Sequence, residues 1–379
     1  MYNLIATTTF GLEAIVKREA NNLGFNGIKV QDGRVEFTGD ERTIVESNIW
    51  FRCADRILIK VGEFNSLSFD ELFEKTKALP WGDFIPLDGK FTVIGKSVKS
   101  QLFSVSDCQS IVKKAIVEKL KLKYKVDWFD ETGADYKVQV GILKDFVTLT
   151  IDTSGTSLHK RGYRDNATKA PIKETLAAAM IDLSYYKKDK ILLDPLCGSG
   201  TIPIEAALMA KNIAPGLYRG FACEKWDFIP ENLWAEVRAD AESKIDNETQ
   251  LRIFASDLDD EAVEVARENA VKAGVSDCIS FEVKDMKDIK LQGDYGVIIC
   301  NPPYGERIGT LKEIEILYGN MKKVFFTNDT WSVYVITSYE EFEKIVGRRA
   351  SVKRKLYNGK IKTDYYQFYG EKPKKIKTE

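Results

Sequence analysis

The sequence predicts an α/β Rossmann-like domain, a seven-stranded sheet finished by a C-terminal antiparallel hairpin, with two smaller α+β modules ahead of it. Three observations carry this. Beyond residue 171, apolar strands alternate regularly with helical stretches, the pattern of a parallel sheet covered on both faces. Residues 353–369 read as two strands about Asn358-Gly359, a dipeptide that supplies the positive φ of a tight hairpin turn. Before residue 155 the strands and helices follow the order of compact α+β units.

The elements follow in turn. Residues 2–8 read as a strand, and Leu12, Ile15, Val16 and Ala20 form one face of a helix. Strands flank the Asp32-Gly33 turn, a helix covers 43–50, and a strand covers 56–61, completing a βαββαβ, ferredoxin-like module over 1–64. A second module over 65–155 contains a helix at 69–78, a strand at 91–94, a helix at 107–122 and strands at 136–141 and 145–151. The polar stretch 156–170 reads as a linker, leaving 171–372 for the last domain. Its five parallel strands are expected at 190–194, 252–257, 279–284, 295–300 and 331–337.

Composition narrows the chemistry. A chain of 379 residues is too long for one ordinary domain, and 44% hydrophobic with 30% charged residues reads as soluble and globular. Net charge of -1 gives no overall basic field, so a polyanionic partner would need a local patch. Six cysteines lie scattered without Cys-x-x-Cys pairs and His159 is the only histidine, which points away from a metal site or a disulfide frame. Reduced thiols fit a cytoplasmic location. Glu13, Lys17 and Arg18 exclude a signal peptide there, and no uncharged run is long enough for a membrane span.

The most informative stretch is Asn301-Pro302-Pro303-Tyr304, directly after the apolar run 295–300. The Asn301 side-chain oxygen and a carbonyl stiffened by Pro302 and Pro303 are two acceptors that suit the two N–H donors of a planar exocyclic amine. Tyr304 can stack on the ring bearing that amine. A rigid strand exit capped by Asn is the plain structural alternative.

Upstream, a strand ends at Asp194 and turns through Leu196, Cys197, Gly198 and Gly200 into a helix beginning at Thr201. It lacks the third glycine of a dinucleotide fingerprint and the Gly-Lys-Ser/Thr of a P-loop. An acidic strand end repels pyrophosphate but pairs with an ammonium, which favours S-adenosylmethionine, with S-adenosylhomocysteine as product. Asp257, followed by Leu258, suits ribose hydroxyls, and Asp285 with Met286 suits adenine. Each acid alone reads more readily as a helix cap; the series Asp194, Asp257, Asp285 and Asn301 at successive strand ends is stronger.

On these residues, 170–370 resembles a class I S-adenosylmethionine-dependent methyltransferase. Ser157-Leu-His-Lys-Arg-Gly-Tyr-Arg164 and Ala170-Pro-Ile-Lys-Glu-Thr-Leu-Ala177 are similar to stretches of the RlmL-type large-subunit rRNA guanine N(2)-methyltransferases. The resemblance implies that 65–155 is a THUMP RNA-binding domain and that the substrate is RNA, rRNA before tRNA. It also implies that Lys173, Glu174 and Thr175 lie near the cofactor's amino-acid end, although helix capping explains them too. Lys96 and Lys99 in the THUMP unit, and Lys160, Arg161 and Arg164 at the junction, are expected to meet RNA phosphates. Solvated charges or internal pairing are the alternatives. Glu205 is open between a solvent-facing and a supporting role. Competing functions are methylation of tRNA guanine or of a nucleic-acid adenine 6-amino group, and a non-catalytic RNA-binding assembly factor.

Overall fold

The computed structural model describes residues 1–164, 172–184, 186–303 and 311–373. Tyr304 lies outside the described residues. The chain runs β1 (Tyr2–Thr7), α1 (Glu13–Asn22), β2 (Asn26–Gln31), β3 (Arg34–Gly39), α2 (Glu41–Trp50), β4 (Arg56–Asn65), α3 (Phe69–Lys77), β5 (Lys90–Val98), α4 (Val105–Tyr124), β6 (Asp135–Leu143) and β7 (Phe146–Asp152). It continues with α5 (Glu174–Leu183), β8 (Ile191–Asp194), α6 (Thr201–Ala210), α7 (Glu231–Ser243), β9 (Arg252–Asp257), α8 (Asp260–Lys272), β10 (Ile279–Val283), β11 (Val297–Cys300), α9 (Leu311–Phe325), β12 (Ser332–Thr337), α10 (Phe342–Val346), β13 (Val352–Asn358) and β14 (Ile361–Phe368).

By its contacts the chain divides into two compact units. One comprises Met1–Thr8, Val16–Leu158 and Arg219–Asp240; the other comprises Thr9–Ile15, His159–Tyr218 and Ala241–Glu379.

In the first unit the two expected modules share one sheet, ordered β2-β3-β1-β4-β7-β6-β5. Strand β4 makes this possible by running on to Asn65, so that Ile59 lies opposite Leu4 on one side and Ile151 on the other. Local caps set the helix starts. Asp40 accepts from the Thr43 N–H before α2, and Ser68 accepts from the Glu71 N–H before α3. The excursion 219–240 was assigned by the sequence to the last domain, yet its contacts are with this unit. Trp226, fully buried, stacks on Tyr136 with ring centroids 4.7 Å apart and donates its indole N–H to the Asp135 carbonyl at 3.1 Å. The Cys223 N–H reaches the Thr153 carbonyl at 3.1 Å.

The second unit holds a sheet ordered β10-β9-β8-β11-β12-β14-β13. Five strands are parallel, and the hairpin β13–β14 adds antiparallel to β12. This is the seven-stranded arrangement expected from the sequence. Every residue of β11 is buried, as a central parallel strand requires. The hairpin is tied back where Tyr365, fully buried, donates its hydroxyl to the Met180 carbonyl of α5 at 2.8 Å. The connection from β10 to β11 is unusual in containing only a 3-10 turn, Met286–Asp288, in place of a covering helix.

Candidate active site

The order β10-β9-β8-β11 sets Asp285, Asp257, Asp194 and Asn301 at the carboxyl ends of four adjacent parallel strands. Ligands of open α/β sheets bind at that edge.

The turn between β8 and α6 is held by its own backbone. Gly198 and Gly200 take φ values of 49° and 79°, where side chains are strained. Gly200 also packs so closely on α8 that a Cβ would stand 2.9 Å from Ala266 Cβ, whereas a Cβ on Gly198 would meet nothing within 4 Å. The Cys197 N–H donates to the Ser256 carbonyl at 2.9 Å, and the Asn269 amide donates to the Ser199 carbonyl at 3.0 Å. Asp257 completes the turn: Oδ2 accepts from the Gly198 N–H at 2.8 Å and Oδ1 from the Asp259 N–H at 3.2 Å. Each oxygen keeps a lone pair for a ligand.

Among the described residues, the acceptors Asp194 Oδ2 and Asn301 Oδ1 at this edge are buried without a hydrogen-bond partner. Asp194 Oδ1 accepts from the Leu196 N–H, at 3.2 Å. Burial holds the Asp194 carboxyl well above the ordinary range, Asp257 adds to the effect, and the Leu196 N–H opposes it. A cation placed beside it would lower it again and restore the ionised form. Burial likewise pushes the Cys197 and Cys300 thiols up, which disfavours the thiolate that a nucleophile requires. Pro302 is buried beside Asn301, and Pro303 is half-buried.

The other expected cofactor residues divide. Asp285 caps the 3-10 turn through the Lys287 N–H at 3.0 Å and pairs with Lys287 Nζ at 2.8 Å, which holds its carboxyl below the ordinary range. Met286 does not present its thioether at the surface. It packs in the core with Leu193, Ile298 and Cys300, and Leu196 lies half-buried on the same cluster. Leu258, directly after Asp257, is an exposed apolar side chain, 69% accessible.

Arg161 and Arg164 depart from the expected RNA clamp because both are drawn into buried pairs. Arg161 Nε lies 3.5 Å from Glu205 Oε1, which also accepts from the Tyr163 hydroxyl at 3.1 Å. Arg164 reaches Glu174 at 2.9 Å, the Ile172 carbonyl at 3.1 Å and the Thr201 hydroxyl at 3.2 Å. These contacts tie the start of α5 to the first turns of α6, directly behind the glycine turn. Glu205 is therefore fully buried and supporting. A lone carboxylate within the apolar run 202–208 was the available signal. Burial pushes Glu174 up to about 7 and His159 down to about 4. Lys96, Lys99 and Lys160 are exposed. Among the described residues no group of three or more His, Cys, Asp or Glu is arranged to hold a metal ion, and no helix is long and apolar enough to cross a membrane.

Comparison with known proteins adds a family context. A family model described as an RMKL-like methyltransferase domain matches residues 161–367, one for an RlmL ferredoxin-like domain matches 3–58, and one for a THUMP domain matches 67–152. YpsC of Bacillus subtilis (strain 168), described as an RNA methyltransferase, is 53% identical over 381 residues, covering 100% of this chain and 99% of that one. A crystal structure from Listeria monocytogenes str. 4b F2365, described as a predicted N6-adenine-specific DNA methylase, is 51% identical with a TM-score of 0.93, covering 98% of this chain and 96% of the other. SMU.472, a methyltransferase crystallised with S-adenosylhomocysteine, is 46% identical with a TM-score of 0.94, covering 98% and 99%.

Proposed function

Because the chain belongs to the RMKL-like methyltransferase family, we propose that it transfers a methyl group from S-adenosylmethionine to the exocyclic 2-amino group of a guanine in RNA, with large-subunit rRNA as substrate. The observation that carries this reading is the buried, unpartnered Asn301 Oδ1 beside the equally unpartnered Asp194 Oδ2. Leaving such acceptors unpaired costs on the order of 1–3 kcal/mol each, so a donor supplied by ligand is the economical explanation.

The residues present fit the cofactor. Asp194 would take its ammonium, Asp257 its ribose hydroxyls, and the side-chain-free space over Gly198 its close approach. When bound, the cofactor supplies a sulfonium-activated methyl group. The protein's task is then positional. Asn301 Oδ1 and the Pro302 carbonyl accept the two N–H bonds of the amine, fixing its nitrogen and favouring the positive charge that develops there. Burial of Asn301 Oδ1 keeps water from competing for those donors. The proton is acidic once nitrogen has been alkylated, so no strong base is needed. Tyr304 is assigned to base stacking on sequence grounds alone.

The same grip suits an adenine 6-amino group, which is how the Listeria relative is described. The matches to THUMP and RlmL ferredoxin-like domains and the description of YpsC support RNA instead, and the choice of guanine rests on the resemblance of 157–164 and 170–177 to the RlmL-type enzymes. In Asn301→Ala, methyl transfer to RNA is expected to fall by roughly 100-fold while S-adenosylhomocysteine binding, measured by calorimetry, stays near wild type. Transfer near wild type would refute the mechanism. Nucleoside mass spectrometry of rRNA and tRNA from a deletion strain is expected to show 2-methylguanosine missing from rRNA. Loss of N6-methyladenosine, or loss confined to tRNA, would overturn the assignment.

A further inference from the structure

A parallel sheet normally has both faces covered by helices. Here the connection from β10 to β11 carries only the 3-10 turn Met286–Asp288, so one face of β8, β9 and β10 has no helix from that crossover. The consequence shows at Phe254, which lies within β9 between two neighbouring strands and is still 44% accessible. A cavity of about 340 Å³ opens over this face, walled by Phe254 and Trp331 and by the segment 289–292. That volume is within the range of small-molecule sites, roughly 300–1,000 Å³. None of Asp194, Gly198, Gly200, Asp257, Asp285 or Asn301 lines it, so it is separate from the strand-end site.

Its lining is chemically uneven. Ser256, 4% accessible, contributes a buried hydroxyl with no hydrogen-bond partner. Lys284 is paired with Glu282 at 3.1 Å, leaving Arg252 and Lys290 as the excess charge of the lining. Among the described residues, Arg252 is steered by a hydrogen bond from Nη2 to the Asp189 carbonyl at 2.6 Å, and its guanidinium carries further N–H donors that a ligand could use. An aromatic face, an unsatisfied hydroxyl and two cations do not suit a simple aliphatic anion, which has no ring for Phe254 and nothing for Ser256.

We propose that this cavity binds a nucleotide, with the base on Phe254 and hydrogen-bonded by the Ser256 hydroxyl, and the phosphate between Arg252 and Lys290. The shared chemistry of base and phosphate belongs equally to a free nucleoside monophosphate and to a nucleotide of an RNA strand, and the experiment separates them. The full chain is saturated with S-adenosylhomocysteine, which fills the cofactor half of the strand-end site, and titrated calorimetrically with AMP, GMP and a 5′-phosphorylated single-stranded RNA trimer. A nucleotide held at Asn301 is indifferent to Phe254 and Lys290, so variants of those two residues report the cavity alone. One nucleotide is expected to bind per chain, about tenfold more weakly in Phe254→Ala and in Lys290→Glu, with S-adenosylhomocysteine affinity unchanged in both. Lys290 is exposed, so its variant keeps the test decisive even where the Phe254 variant loosens the sheet. A trimer that competes with AMP and is weakened by the same substitutions identifies an RNA strand as occupant; a trimer that does neither identifies free nucleotide. No binding of any probe at millimolar concentration, or equal binding by wild type and both variants, overturns the site.

Discussion

At the scale of single residues, Glu174 shows how burial and pairing compete. Arg164 stands 2.9 Å away, yet burial pushes the carboxyl from an ordinary 4.5 to about 7, aided by like-charged Glu205 and opposed by Arg164, the Glu174 backbone N–H and Arg161. The folded chain therefore holds this proton more tightly than the unfolded chain. The resulting stabilisation is full below about pH 4.5 and is lost as pH rises through about 7. Half-buried His159, pushed down to about 4, works in the opposite sense, losing stability as pH falls from 6.5. The two slopes partly cancel in the wild type. Subtracting melting temperatures of wild type from those of Glu174→Gln isolates the first, and this difference is expected to increase between pH 4.5 and 7. A flat difference would mean that Glu174 stays ionised throughout. Asn301 and Asp194 were legible in the sequence because each directly follows an apolar run, Asp257 and Asp285 because each stands at the end of an expected strand, and edge position follows from chain direction. The fate of Arg161 was not legible, because it depends on Glu205, 44 residues further along, a separation no local pattern spans.

At the scale of elements, the glycine turn separates two roles that sequence treats alike. A methyl group on Gly200 would press on Ala266 of α8, and its φ of 79° is already unfavourable for any side chain. Gly200→Ala is expected to cost about 2 kcal/mol or more, read as a lower unfolding midpoint. Gly198→Ala meets no neighbouring atom, so its stability cost is about 1–2 kcal/mol from φ alone. Its methyl projects into the space assigned to the cofactor, and S-adenosylhomocysteine affinity is expected to fall roughly tenfold. Unchanged affinity in Gly198→Ala would remove the turn from the binding site. The C-terminal hairpin was legible because Asn358-Gly359 specifies its own turn, with Gly359 at φ 63° and Asn358 opposite Ile361. The single sheet of the first unit was not. Strand β4 finds its second partner in β7, and an extended segment does not declare which edge it will join.

At the scale of the molecule, the excursion 219–240 decides what counts as a unit. The sequence places it within the last domain, and the distant ring of Tyr136 and the Asp135 carbonyl are what Trp226 is buried against. Trp226→Ala is expected to remove about 3–5 kcal/mol from the first unit. Hydrogen exchange should report the loss in the amides of β6 and β7, with those of β8 and β11 protected as in wild type. Uniform loss across both units would show instead that the chain unfolds as one body.

The same excursion imposes a schedule on biosynthesis. The first unit lacks Trp226 when Leu158 is made, and the missing piece arrives roughly 80 residues later. At about 5–20 residues per second the interval is on the order of 4–16 s. During that time the emerging N-terminal portion has the pocket for an indole and no indole to fill it. A nascent chain arrested before residue 219 should therefore engage chaperones, while one arrested beyond residue 240 can close its first unit before the second is complete.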